Sequence, residues 1–98
     1  MQLIPQVPPD VLYHGTGHKS VASIIEAGLC KMSGHHVHLS VDIITAQKVG
    51  GRHVKPVVFV VNTVKMQKQG FTFYWSDNGV WLVDSVPPQY LKILANER

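Results

Sequence analysis

The residues of this chain best suited to chemistry are its six histidines and the glycines beside two of them. His14 opens His14-Gly15-Thr16-Gly17, His53 closes Gly50-Gly51-Arg52-His53, and three more stand together in His35-His36-Val37-His38. The apolar run Val11-Leu12-Tyr13 predicts a strand that ends at His14. A strand closing on glycines ahead of a helix leaves main-chain N–H groups bare, with no side chain to keep a ligand away. Alternation along the strand puts Leu12 and His14 on one face and Tyr13 on the other. His14 is therefore either a buried, hydrogen-bonded histidine or one that faces a ligand.

Each remaining cluster has a plainer reading beside the chemical one. In a strand, His36 and His38 share a face and have the spacing to chelate one ion. No cysteine or carboxylate adjoins them in the sequence and nothing supplies an outer shell, so no metal is assigned. The glycine-rich turns match neither a Walker loop nor a dinucleotide Gly-x-Gly-x-x-Gly fingerprint. Seven of the nine cations are lysines scattered along the chain, and Arg98 is terminal. A bidentate clamp on phosphate or carboxylate therefore falls to Arg52, whose alternative is a solvated basic loop. In Phe71-Thr72-Phe73-Tyr74-Trp75, Phe71, Phe73 and Trp75 form a core stripe and Tyr74 faces the other way, where it can stack on a ring. Cys30, the single cysteine, reads as a small buried thiol after a helix.

These residues need elements to hold them. Met1–Pro9 carries three prolines and no periodicity, and reads as a leading arm or the tail of a linker, which implies a segment upstream. Strand Val11–Thr16 leads to a helix over Lys19–Ala27, with Val21, Ile24 and Ile25 on one stripe and Gly28 at its C-terminal stop. A short strand is predicted over His36–Leu39, then a helix over Val41–Val49 capped by Ser40, with Asp42 near its positive end. The β-branched run Pro56–Asn62 predicts a central strand buried on both faces. One helical turn over Val64–Gln69 is followed by strands Phe71–Trp75 and Val80–Val83, joined by an Asn-Gly turn. A helical turn at Pro87–Tyr90 and a last strand Leu91–Leu94 complete an α+β reading with about six strands and two early helices.

The totals agree with that reading. Ninety-eight residues make one domain with a single core, and an apolar fraction of 45% with 15% charged residues is an ordinary globular balance. No apolar run is long enough to cross a bilayer and the start lacks a signal-peptide pattern, so the expectation is a cytoplasmic chain with no membrane partner. A net charge of +3 favours anionic partners without defining one.

Five ordered blocks carry a family resemblance. They are Leu12–Thr16 (Leu-Tyr-His-Gly-Thr), Ser23–Leu29 (Ser-Ile-x-x-x-Gly-Leu), Met32–Ser40 (Met-Ser-x-x-His-Val-His-Leu-Ser), Val49–Val58 (Val-Gly-x-Arg-His-x-Lys-Pro-Val-Val) and Phe73–Leu82 (Phe-Tyr-x-Ser-x-Asn-Gly-Val-Trp-Leu). Together they resemble the catalytic lobe of the RNA 2′-phosphotransferases, NAD-dependent enzymes of the ADP-ribosyltransferase superfamily. The likeness extends through Val86-Pro87-Pro88 and implies an NAD-binding lobe over residues 10–98, built as split, mixed β-sheets with two main short helices.

The resemblance also implies roles. His14 would meet the ribose end of NAD and the Gly15 main chain its carboxamide, with Thr16, Gly28, His38, Tyr74 and Val80 completing the cofactor pocket. His38 stands where many relatives have tyrosine, and Val80 where protein-modifying relatives have glutamate. A phosphate monoester is already an anionic nucleophile, so an apolar residue there fits the chemistry. His14, His38 and Arg52 would be the catalytic set, with Arg52 holding the migrating phosphate electrostatically. The implied reaction has an RNA 2′-phosphate attack C1″ of NAD and expel nicotinamide. The 2″-hydroxyl then attacks phosphorus, releasing RNA with a 2′-hydroxyl and ADP-ribose 1″,2″-cyclic phosphate. The implied partner is 2′-phosphorylated RNA, such as tRNA in splicing, gripped with the help of a separate N-terminal lobe that this sequence does not contain. Gly34 and Val54 depart from the family, which carries arginine and glycine there. Two other activities stay open: a stand-alone NAD- or ADP-ribose-binding module, and an ADP-ribosyltransferase acting on nucleic-acid phosphate ends.

Overall fold

A computed structural model of the chain describes residues 3–31, 35–50 and 55–94. The chain is α+β, with nine short strands among these residues rather than about six, and two main helices followed by a shorter third. The strands form three separate sheets, and every described pairing is antiparallel rather than mixed.

The longest pairing sets the frame. Strand β2 (Val11–Gly17) runs antiparallel to β5 (Pro56–Asn62), in register from Val11 opposite Asn62 to Gly17 opposite Pro56. β9 (Leu91–Ile93) covers the other edge of β5, which makes β5 the centre of this sheet, as its β-branched run predicts. Leu12, Phe59 and Val61 are almost wholly buried, and each contributes roughly 1.5–3 kcal/mol by leaving water.

The second sheet has the order β1 (Ile4–Pro5), β6 (Tyr74–Trp75), β7 (Trp81–Val83), β4 (Val37–Leu39). β6 and β7 form the hairpin expected from the Asn-Gly turn. Gly79 adopts φ +77°, and its N–H donates to the Ser76 carbonyl at 3.1 Å. The strand before the turn is shorter than the sequence indicates: only Tyr74 and Trp75 pair, and Phe71 and Phe73 pack into the core from a non-strand segment. Trp75 is partly exposed and rests on Trp81 with ring centroids 5.0 Å apart. The leading arm also joins this sheet. Ile4 and Pro5 pair with Trp75 and Tyr74, Gln6 N–H donates to the Phe73 carbonyl, and the Thr63 hydroxyl donates to the Pro9 carbonyl. The third sheet pairs β3 (Leu29–Cys30) with β8 (Ser85–Val86).

The helices follow the predicted pattern with shifted ends. α1 (Val21–Ala27) is preceded by a 3-10 turn at His18–Ser20, and Ser20 makes no side-chain cap. α2 spans Ile43–Gly50 and is capped by Asp42, whose Oδ1 accepts from the Thr45 N–H at 2.6 Å. Ser40, the expected cap, is taken up in a main-chain bridge to Tyr13 instead. α3 (Thr63–Lys68) is capped by Asn62 through the Lys65 N–H. No helix among the described residues is long and apolar enough to cross a membrane.

Candidate functional site

A cleft of about 790 Å³ opens between the ends of β2, α1, β4 and α2. That volume lies within the range of small-molecule and cofactor sites. Three elements aim at it for separate reasons. β2 carries His14, Gly15 and Thr16 to its wall. β4 buries Val37 and Leu39 on the core side, so alternation turns His38 outward to the cleft. The β6–β7 turn delivers Val80, whose N–H donates to the Ser76 hydroxyl at 3.2 Å.

His14 is the best-defined polar group of the cleft. Its Nδ1–H donates to the His38 carbonyl oxygen, N to O 3.2 Å. A carbonyl only accepts, so this bond assigns the hydrogen to Nδ1 and leaves Nε2 as an acceptor in the neutral ring. Burial holds the His14 imidazole below its ordinary pKa of 6.5, against a smaller upward pull from the carbonyl bond; the nearby His38 adds to the lowering. At neutral pH the ring is therefore an uncharged acceptor, suited to a hydroxyl.

Gly15 contributes main chain. Tyr13 and Ser40 exchange both their N–H···O bonds, at 2.9 and 2.7 Å, so the Tyr13 amide and carbonyl point away from β5. Two residues on, the peptide groups of Gly15 lie on that same edge. The bare amides expected at Gly-Thr-Gly reduce to this edge, because β2 extends through Gly17 and stays registered with Pro56 to Val58. One N–H and one C=O side by side, unshielded by a Cβ, match a carboxamide.

The other predicted site residues fall into three groups. Thr16, His38 and Val80 line the cleft together with His14 and Gly15. Gly28 lines it too, but its glycine is also demanded by packing. With φ +79°, a Cβ there would stand 2.2 Å from the Val86 carbonyl oxygen. Tyr74 does not line the cleft; its ring meets His36 edge-on with centroids 5.9 Å apart, one side chain removed from the wall. Arg52, with Gly34 and Val54, lies outside the described residues.

Two further residues went unassigned or were misplaced by sequence reasoning. Cys30, expected to be buried, is exposed and lines the cleft, because β3 ends there as a two-residue strand with Leu29 inward. His36, weighed only as a metal ligand, lines the cleft with its Nε2 3.2 Å from Asp84 Oδ1. Among the described residues no three of His, Cys, Asp and Glu gather to hold a metal ion.

The fold and cleft thus define an α+β protein with a histidine- and glycine-lined pocket between separate sheets. The sequence pattern of the RNA 2′-phosphotransferase, Tpt1 / KptA family matches residues 1–85, and the chain belongs to that family. It is 70% identical over 92 residues to a probable RNA 2′-phosphotransferase of Nostoc punctiforme, covering 94% of this chain and 51% of that protein. Similarly named proteins of Trichormus variabilis and Acaryochloris marina are 63% and 52% identical over 94 and 90 residues. Those matches cover 96% and 92% of this chain and 52% and 50% of the relatives, so the chain spans about half the length of the curated relatives it matches.

Proposed function

We propose that this chain is the NAD-binding catalytic part of an RNA 2′-phosphotransferase, which uses NAD as co-substrate to remove a 2′-phosphate from RNA. The observation that carries the reading is the pairing of His14 with the His38 carbonyl beside the open Gly15 edge, inside a cleft large enough for a dinucleotide. The acceptor Nε2 of neutral His14 suits a ribose hydroxyl, and the Gly15 peptide edge suits the nicotinamide carboxamide. Thr16, His38 and Val80 close the same wall.

The dinucleotide supplies an anomeric carbon with nicotinamide as leaving group. The chain's own residues bind and orient. Val80 offers no carboxylate near the cleft, which fits an acceptor that arrives already ionised. Arg52 is assigned to the phosphate as the only internal guanidinium. The products on this reading are RNA with a free 2′-hydroxyl, nicotinamide and ADP-ribose 1″,2″-cyclic phosphate. RNA processing, including tRNA splicing, is the setting this reaction fits, and an RNA-gripping lobe is the partner this reading calls for.

The test is incubation of the chain with NAD and a 2′-phosphorylated oligonucleotide, alone and with an RNA-gripping lobe taken from a relative. Cyclic-phosphate product supports the proposal, and Arg52→Ala should then lower transfer more than NAD binding. Saturable NAD binding without nicotinamide release would leave a binding module. An ADP-ribosylated oligonucleotide that accumulates would replace the proposal with transfer to phosphate ends.

A further inference from the structure

The cleft holds a second histidine with a fixed partner, and the strand registers explain how it comes to be there. β4 pairs with β7 so that Val37 lies opposite Val83. One step further along the same register, His36 falls opposite Asp84, and the His36 Nε2 sits 3.2 Å from Asp84 Oδ1. β3 pairs with β8 so that Cys30 lies opposite Ser85. One step along that register Lys31 also falls opposite Asp84. The Lys31 N–H donates to the Asp84 carbonyl at 3.2 Å, and its Nζ lies 3.9 Å from the same carboxylate oxygen. Asp84 is thus the residue at which the chain leaves one sheet for another, and it meets both neighbouring strand ends.

The stability value of this arrangement is small. The Asp84 side chain is 64% exposed, and ion pairs in that setting contribute little to folding. What the carboxylate does control is the His36 ring, whose side chain is only 26% exposed. The Asp84 carboxylate stands 3.2 Å from Nε2 on one side, and the Tyr74 ring packs edge-to-face on another. A ring held from two directions keeps one tautomer and one orientation. A carboxylate only accepts, so this neighbour favours the hydrogen on Nε2 and leaves Nδ1 as the acceptor nitrogen of the neutral ring.

We propose that Asp84 is a positioning residue for the cleft: it fixes His36 as a second hydrogen-bond acceptor, for a hydroxyl of the bound dinucleotide. The inference rests on the dinucleotide reading of the cleft. Asp84 itself lies outside the cleft wall and touches no substrate; it acts through His36. Orienting a polar ring by a carboxylate partner is the way enzymes fix ligand-facing histidines.

The test uses the intact 98-residue chain, with NAD titrated by calorimetry and the imidazole nitrogens read by long-range proton–nitrogen NMR. In the parent, His36 should show the Nε2–H tautomer, and Asp84→Ala should release that preference. Asp84→Ala and His36→Ala should each weaken NAD binding about fivefold. The double variant should bind no more weakly than His36→Ala alone, because the two act as one unit. Asp84→Asn, whose amide oxygen still accepts Nε2–H, should bind close to the parent, an outcome that a merely charge-dependent or structural role would not give. If the parent binds NAD, His14→Ala loses it and Asp84→Ala matches the parent, this inference falls and the dinucleotide reading stands. If the parent takes up no NAD, both fall together.

Discussion

The His14 side chain bonds to the main chain of His38, not to its imidazole: Nδ1–H to carbonyl oxygen, 3.2 Å. The two histidines therefore carry separable roles. His38→Ala keeps the carbonyl and should leave the His14 tautomer intact, whereas His14→Ala removes the acceptor from the cleft. His14→Ala should weaken NAD binding by roughly 1–3 kcal/mol, and His38→Ala by less, in calorimetric titrations of each variant. Equal losses would mean that the His38 ring, not its backbone, is the partner that matters.

Burial of His14 makes a pH prediction. Its folded pKa is held below the ordinary 6.5, so the unfolded chain binds the proton more readily. By linkage, the stabilising contribution of the neutral ring is fully present above about pH 6.5 and is lost as pH falls through the lower folded value. Chemical denaturation of the parent should show this slope on the acid side, and His14→Gln should flatten it. A slope of the opposite sign would show that the folded state favours the imidazolium.

Gly28 carries a stability prediction. A methyl at this position meets the Val86 carbonyl at 2.2 Å and must also adopt φ +79°. Gly28→Ala should cost at least about 2 kcal/mol, combining overpacking with left-handed strain. Urea melts would record it as a lower midpoint with an unchanged slope. Gly70, with φ +95° and nothing within 4 Å of its added methyl, should pay the strain alone and lose less.

Cys30 gives a covalent probe of the cleft. It is exposed and lies in the wall, so a maleimide should label the folded protein without denaturant. Saturating NAD should slow that labelling several-fold, read by intact mass. Labelling at an unchanged rate in protein shown to bind NAD would put the ligand away from β3.

The parts of this structure legible in the sequence are those where one residue pattern met one environment. The β-branched run Pro56–Asn62 was legible as a central strand, although only Val58, Phe59 and Val61 are buried and Val57 and Val60 are half-buried, and the Asn-Gly turn fixed the β6–β7 hairpin. Alternation left His14 open between core and ligand, and it was the family resemblance that named His14 and His38 together; both line the cleft. Ile4–Pro5 was not, because a two-residue strand beginning in a proline-rich arm has no period and exists only where Tyr74 and Trp75 offer an edge. Ser40 and Asp42 are both good caps. The choice between them was made by Tyr13, which takes the Ser40 main chain into a bridge. The His36–Asp84 contact spans 48 positions and depends on two registers at once, which no local pattern encodes.

The Tyr13–Ser40 bridge has a practical corollary. Among the described residues it is a lone main-chain rung between the three-stranded and four-stranded sheets. A molecule seated in the cleft touches β2 on one side and β4 on the other, and so braces that rung like a second strut. Occupancy then registers as heat resistance: at a hundredfold excess over Kd the folded state gains about 2.7 kcal/mol. A melting-temperature screen of nucleotides can therefore rank candidate occupants of the cleft without waiting for any product to form.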